Sequence, residues 1–440
     1  MILNKVYNSL FSFDNKGNII NELVKSYKIN KNKLEIKINL KKNYFFSNGK
    51  NLNSQDVIES IKLYLNRKSK YPYRSNLNFI KSIRPVNKYE FVINLKYKFA
   101  PWKNYLTFKI LNYEEIQKLN PNEYKTHLFL GTGNYRFYKV KPPSKIILLK
   151  NEYSKEKNNF EKLVFKVILD TKTNPLKLIN KEIDIAEILV EDVKPFEKNK
   201  KIRILKFNKF GYYFIVFNLK RNIDYKIRKL FYNTLYNTKF LKKFLNNRGK
   251  IVKSPILLLN NSKRIKHIKE KPEKLNSRIR LTILTNSESR IRRNFILFLT
   301  KEMKKHNIYL KPLFFEYHKF IKSLKSKNFD IALSGFLLDI DYDISDIVHS
   351  KSPFNYSNFS NTEFDELLES GNRELDEVKR KNIYIKIHNK WLKELPIIPL
   401  FSLYYYVGIN KKITPNNFYK IVGSITDPLY NINLWNLINY

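Results

Sequence analysis

Between Leu281 and Leu333 the chain repeats one pattern. Leu281–Leu284 is a short apolar run and Arg290–His306 has helical periodicity. Ile308–Phe315 returns to strand character, Tyr317–Ser326 is helical again, and Ile331–Leu333 is a buried apolar run. Strands separated by helices cannot pair as tight hairpins, so they lie parallel with right-handed crossovers. The pattern therefore sets an α/β class for this part of the chain. It also indicates where a site would lie, because open α/β sheets bind ligands beyond the carboxyl ends of their strands.

The last strand of the pattern lies in Phe329–Asp343, FDIALSGFLLDIDYD. Gly335 lets the backbone turn or approach a neighbour closely. Phe336, Leu337 and Leu338 follow, and then Asp339. An acid directly after a buried strand and an aromatic residue is either solvated at a loop start or positioned to meet a cation. Asp339, Asp341 and Asp343 alternate as in a calcium loop. The EF-hand pattern, however, needs Gly at its sixth position and Glu at its twelfth, where Ile344 and Ser350 stand.

The earlier chain is mixed. Leu34–Leu40 and Tyr89–Leu95 alternate with period two and read as half-buried strands. Asn53-Ser-Gln-Asp56 reads as the cap of a helix running through Val57, Ile61 and Tyr64. Further strands are expected at Tyr135–Val140, Lys145–Lys150, Leu163–Leu169, Ile202–Phe207 and Gly211–Phe217. Tyr225–Leu245 is a basic helical region with Ile227, Leu230, Phe231, Leu235 and Phe240 on one side. Such a stripe either packs inward or touches a membrane surface. Ser262–Arg278 is polar and basic, as a flexible surface segment would be. Ile397–Leu400 and Tyr404–Ile409 are two apolar runs near the end.

A chain of 440 residues that is 43% hydrophobic can bury two or three cores. Its net charge of +45 suggests nucleic acid or an anionic surface as a partner. The lysines, though, are scattered through helices, strands and loops, and Asn, Ile, Tyr and Phe are inflated with them, as under codon usage biased toward A and T. No nucleic-acid partner is expected. There is no Cys, which excludes disulfides, thiolate metal sites and thiol nucleophiles. No run approaches 18 apolar residues, so no transmembrane helix is expected. MILNKVYNSLFSFDNKG is not read as a secretory signal and carries no lipidation Cys. The expectation is that the protein stays inside the cell or that its true start lies further upstream.

Catalytic and metal motifs are missing. The six histidines, His127, His267, His306, His318, His349 and His388, show no HxxxH or HxH spacing. No GxSxG occurs. Gly131-Thr-Gly-Asn-Tyr135 lacks the Lys-Ser/Thr of a phosphate loop and opens onto a strand. Neither an enzyme nor a bound cofactor is expected.

In order along the chain, several weak motifs resemble those of the extracytoplasmic solute-binding proteins of peptide ABC importers, bacterial solute-binding protein family 5. They begin with Val6-Tyr-Asn-Ser-Leu-Phe-Ser-Phe-Asp14. Phe46-Ser-Asn-Gly-Lys50 with Asn53-Ser-Gln-Asp-Val57 is similar to "F-x-x-G-x-x-x-T-A-x-D-V". Gly131-Thr-Gly-Asn-Tyr135 is similar to "GTGPY", and Asn151-Glu-Tyr153 to "N-x-x-Y". Glu182-Ile-Asp184 resembles "G-E-I-D", with Lys181 in place of the Gly. Phe217-Asn-Leu-Lys220, Ile227-Arg-Lys-Leu230, Asp365-Glu-Leu-Leu368, Arg380 and Pro396-Ile-Ile-Pro399 continue the series.

The resemblance implies an α/β, two-lobed periplasmic-binding-protein (clamshell) fold with an extra N-terminal subdomain on the first lobe. Residues 1–209 would form that lobe without its N-terminal strand, 210–403 the second lobe, and 404–440 the return to the first. It implies no enzyme activity, but capture of short peptides in an interlobe cleft for delivery to ABC permease subunits. The protein would act as a monomer, in the periplasm or on the outer face of the cytoplasmic membrane.

Gly335-Phe336-Leu337-Leu338-Asp339 matches "G-W-x-x-D", which makes Asp339 the anchor for the peptide's α-amino group. Tyr212, Tyr213 and Phe214 resemble the aromatic strand lining the cleft, and Tyr405 lies in the returning crossover. Arg290 stands roughly where some relatives place a cation for the peptide's carboxylate. The alternatives are a receptor for a nickel complex or a sugar, a basic nucleic-acid or anionic-surface binder, and a truncated, inactive copy.

Overall fold

The computed structural model describes residues 1–66, 77–120, 122–124, 126–141, 144–221, 223–236, 239–268, 270–416, 421–423, 428–429 and 431–437. The chain forms two compact units, Met1–Phe207 with Tyr405–Tyr440, and Asn208–Tyr404.

The first unit carries a four-stranded and a three-stranded antiparallel sheet beside two smaller two-stranded ones. Four strands pair in the order Val24–Ile29, Glu35–Leu40, Glu90–Leu95, Ile80–Asn87. Ile36, Ile38 and Leu40 are buried, as the period-two alternation requires. The helix Ser54–Leu65 begins with a capping box: the Gln55 amide donates to Asn53 Oδ1 (2.8 Å), and the Asn53 amide donates to Asp56 Oδ2 (2.9 Å). The three-stranded sheet pairs Tyr135–Lys141, Lys145–Lys150 and Lys162–Lys166. The expected strand at Leu163–Leu169 stops at Lys166, and Leu169 is fully exposed.

The Gly131/Gly133 turn has a packing role. A Cβ on Gly131 would stand 1.9 Å from the Val6 carbonyl oxygen, and one on Gly133 2.5 Å from that of Lys5. Only glycine admits the first residues of the chain there.

In the second unit the expected alternation is present. Ile279–Asn286 pairs in parallel with Ile308–Phe315 and with Ile331–Leu337. The helices Arg290–Lys304 and Tyr317–Lys325 form the crossovers. Asp330 ties the ladder together, accepting from both the amide and the hydroxyl of Thr282 (2.9 and 2.7 Å). On its other side Ile331–Leu337 pairs antiparallel with Gly211–Phe217, so the sheet is mixed.

Two expectations need correction. The apolar runs at Ile397 and Tyr404 are one strand, Ile397–Asn410. It pairs first with Gly211–Phe217 and Gly249–Ile251, then with Ile185–Ile188. Ser402, the polar break between the runs, donates from Oγ to the Lys209 carbonyl (2.7 Å) and so stays inside the strand. The polar segment Ser262–Arg278 is not free throughout, because Ile265 is buried and the Lys266 carbonyl is held by His388. The basic region Tyr225–Leu245 packs its stripe inward: all five apolar residues are buried, and Phe240 stacks on Phe298 at 4.5 Å.

Candidate functional site

The strand Ile331–Leu337 changes character along its length. Ile331 to Ser334 are buried, Gly335 and Phe336 are half-buried, and Leu337 is 48% exposed. The strand thus runs from the core to an open edge at its carboxyl end. The Leu338 amide donates to the Phe210 carbonyl (3.0 Å), and Asp339 follows, half-buried.

Three aromatic rings surround Phe336. Phe214 lies 5.4 Å away, Phe354 6.4 Å and Tyr356 6.4 Å. Tyr213 faces Gly335 across the ladder, where a Cβ would meet its ring at 3.1 Å. Successive strand side chains point to opposite faces, so the expected run Tyr212-Tyr213-Phe214 divides. Tyr212 is buried and donates its hydroxyl to the Pro255 carbonyl (2.9 Å), and burial pushes that phenol's pKa up. Phe214 is also buried. Tyr213 is the half-buried member of the three.

Tyr213 meets a guanidinium, and it is that of Arg292. Arg292 lies 5.2 Å from the Tyr213 ring and 6.0 Å from that of Phe320. Its Nη1 donates to Asn286 Oδ1 (2.8 Å), and the Asn286 amide group donates to Glu288 Oε2 (3.1 Å). Its Nε is buried without a hydrogen-bond partner among the described residues. Burial holds the Arg292 guanidinium below its ordinary pKa. Arg290, at the first position of the same helix, is exposed. Tyr405 belongs to the first unit, beside Phe207 (6.3 Å) and in the wall of a cavity of ≈ 630 Å³ with Phe160, Ile185 and Leu429.

The acids after the strand are not equivalent. Asp341 is paired with Arg380. Asp343 accepts from Ser345 and Asn372, and burial pushes it above the ordinary carboxylate range. Burial also raises Asp346, and the negative charges of Asp343 and Asp339 add to the rise. The strand end is thus locally negative within a strongly basic chain. Among the described residues no group of three or more His, Asp or Glu gathers to hold a metal ion.

Residues 18–358 match the family described as bacterial extracellular solute-binding proteins, family 5 Middle. The chain belongs to that family. Family 5 is a family of binding proteins, and the chain is a solute-binding protein of ABC importers with the two-lobed α/β fold of periplasmic binding proteins. Its relatives include the oligopeptide-binding protein AppA of Bacillus subtilis (strain 168), 24% identical over 99% of this chain and 86% of AppA. The structure of AppA in complex with a nonapeptide superposes with a TM-score of 0.80, at 22% identity over 100% of this chain and 94% of AppA's. NikZ from Campylobacter jejuni in complex with Ni(L-His) superposes at 0.84, with 22% identity over 99% and 94% of the two chains. Family 5 proteins are extracytoplasmic, and among the described residues no helix is long and apolar enough to cross a membrane.

One departure from the family 5 pattern can be read from the backbone. Lys181, where the motif has Gly, sits at φ 61°. The turn keeps the left-handed geometry that glycine adopts freely and that costs lysine strain. A helical repeat does not say which of Arg290, Arg292 and Arg293 turns toward the sheet; in the structure it is Arg292 that lies against Tyr213. Ser289 caps the helix, its side chain accepting from the Arg292 amide.

Proposed function

We propose that this chain captures short peptides outside the cytoplasmic membrane and passes them to an ABC permease. Asp339 takes the peptide's α-ammonium group. Gly335, Leu337 and Tyr213 line the approach to it on one face of the sheet, and Phe336 packs with Tyr212 and Phe214 on the other. The peptide's carboxylate falls to Arg292 rather than to Arg290, because Arg292 is the guanidinium held against Tyr213. Extended peptides bound through their main chain need little side-chain selection, and ordered water fits the rest. The protein works as a monomer, in the periplasm or on the outer face of the membrane.

The observation that carries this reading is the strand Ile331–Leu337, which ends in an aromatic cluster and a locally negative turn bearing Asp339. The binding of a nonapeptide by AppA supports it.

Isothermal calorimetry with trialanine, N-acetyl-trialanine and Ni(L-His), beside a DNA shift assay across salt, tests it. Trialanine is expected to bind and the acetylated form to bind far more weakly. Asp339→Ala is expected to cost about 2–5 kcal/mol of trialanine affinity, because the ligand's charge is left unpaired. Heat from Ni(L-His) alone, or salt-sensitive DNA binding without peptide heat, overturns the peptide reading.

A further inference from the structure

The turn that carries Asp339 has no regular secondary structure, yet it is tied down at nearly every position. Arg380, in the helix Glu377–Glu394, is only 9% exposed. Its Nη1 and Nη2 donate to the two oxygens of Asp341 at 2.8 and 2.5 Å, and its Nε donates to the Gly371 carbonyl at 2.9 Å. Two tyrosines flank the guanidinium, Tyr342 at 5.7 Å and Tyr384 at 5.3 Å, and these two rings stack on each other. A two-pronged ion pair with a third hydrogen bond fixes orientation as well as distance.

Asp341 passes that constraint along the chain in both directions. Its amide donates to the Asp339 carbonyl at 2.8 Å, and its Oδ1 accepts from the Asp343 amide at 2.9 Å. Asp343 Oδ1 accepts from the amide and hydroxyl of Ser345, and Oδ2 accepts from the Asn372 amide group at 2.8 Å. Tyr384 closes the circuit by donating to Asn372 Oδ1 at 3.1 Å. The helices Thr362–Arg373 and Glu377–Glu394 thus grip residues 339–343 from one side.

We propose that Arg380 is a positioning residue for ligand binding: through Asp341 it sets the backbone from which Asp339 reaches the ligand. The proposal rests on the reading of Asp339 as the ammonium anchor. Arg380 does not touch the ligand. Its effect is expected only on ligands that use Asp339.

The test combines hydrogen exchange with calorimetry on the full chain. The variants are Arg380→Met, Arg380→Lys and Asp341→Asn. The last keeps the side-chain shape, so it serves if Arg380→Met does not fold. Arg380→Met and Asp341→Asn are expected to speed exchange at the Asp341 and Asp343 amides and to weaken trialanine binding about 10–100-fold, by analogy with the loss seen when the groups that orient a metal ligand are removed. Arg380→Lys keeps the charge but loses the fork, and should fall between. In an Asp339→Ala background neither change should weaken binding further. Unchanged exchange at residues 341 and 343, or an equal loss of affinity in the Asp339→Ala background, overturns the proposal. If N-acetyl-trialanine binds the native protein as well as trialanine does, the anchor reading fails, and exchange alone then decides whether Arg380 holds the turn.

Discussion

His388 should make the second unit lose stability in mild acid. It lies on the helix Glu377–Glu394, fully buried, with Nε2 2.9 Å from the Lys266 carbonyl and Nδ1 2.9 Å from Ser254 Oγ. A carbonyl only accepts, so Nε2 carries the proton and Nδ1 accepts from the Ser254 hydroxyl. A second proton would place a charge in the interior beside Trp391 (5.2 Å) and His267 (6.0 Å). Burial pushes His388 down to about 4, and His267 adds to the fall while the Lys266 carbonyl opposes it. The gap from an ordinary 6.5 is worth about 3 kcal/mol at about 1.36 kcal/mol per pH unit.

The sign follows from proton counting. Between pH 6.5 and 4 the unfolded imidazole is protonated and the folded one is not. The stabilisation is therefore complete above 6.5 and is lost as pH falls through this window. Asp56, in the first unit, works in the opposite direction. Burial raises it to about 6 against the donors from Tyr113 and Asn53, so its folded form is favoured as pH falls. Asp343 and Asp346, in the second unit, are raised by burial too and act as Asp56 does, so only the comparison with a His388 variant isolates the histidine. A whole-protein acid profile would mix these effects. The assay is therefore native-state hydrogen exchange of the Glu377–Glu394 amides from pH 7 to 4, for the native protein and His388→Gln. The native protein should lose about 3 kcal/mol relative to the variant across that range. Parallel profiles, or a His388 proton resonance titrating near 6.5, would refute the argument.

Two further substitutions test the packing. Gly371→Ala places a Cβ 2.8 Å from the fully buried ring of Tyr384. Its helix-propensity gain of about 1 kcal/mol is outweighed by an overpacking cost of about 1–3 kcal/mol, so thermal unfolding should move down. Lys181→Gly relieves a left-handed lysine at φ 61° and should raise the first unit's stability by about 1 kcal/mol in urea unfolding.

Local pattern carried the fold a long way. The alternation at Leu34–Leu40, the Asn53 cap and the strand–helix repeat from Leu281 each depend on neighbours a few residues apart, and such spacing is visible in a sequence. Ile397–Asn410 was harder, because a serine inside an apolar run reads as a break until Lys209, far away in the chain, supplies its acceptor. The same limit applies to the candidate site. The stretch ending at Asp339 stood out, but the partner that fixes its turn, Arg380, lies on a distant helix and no short motif joins the two. Tyr212, Tyr213 and Phe214 are contiguous in sequence, but a strand turns only every second side chain to one face. Tyr405 is in the other unit from most of the residues it was grouped with.

The first unit is assembled from two separate lengths of chain, and the second from one. During synthesis the inner piece emerges whole and can fold at once, while Ile185–Ile188 must wait for its partner strand residues Tyr406–Ile409. A ribosome that stops shortly before residue 405 would release a finished inner unit joined to an outer one with an open sheet edge, the kind of edge that other chains add to.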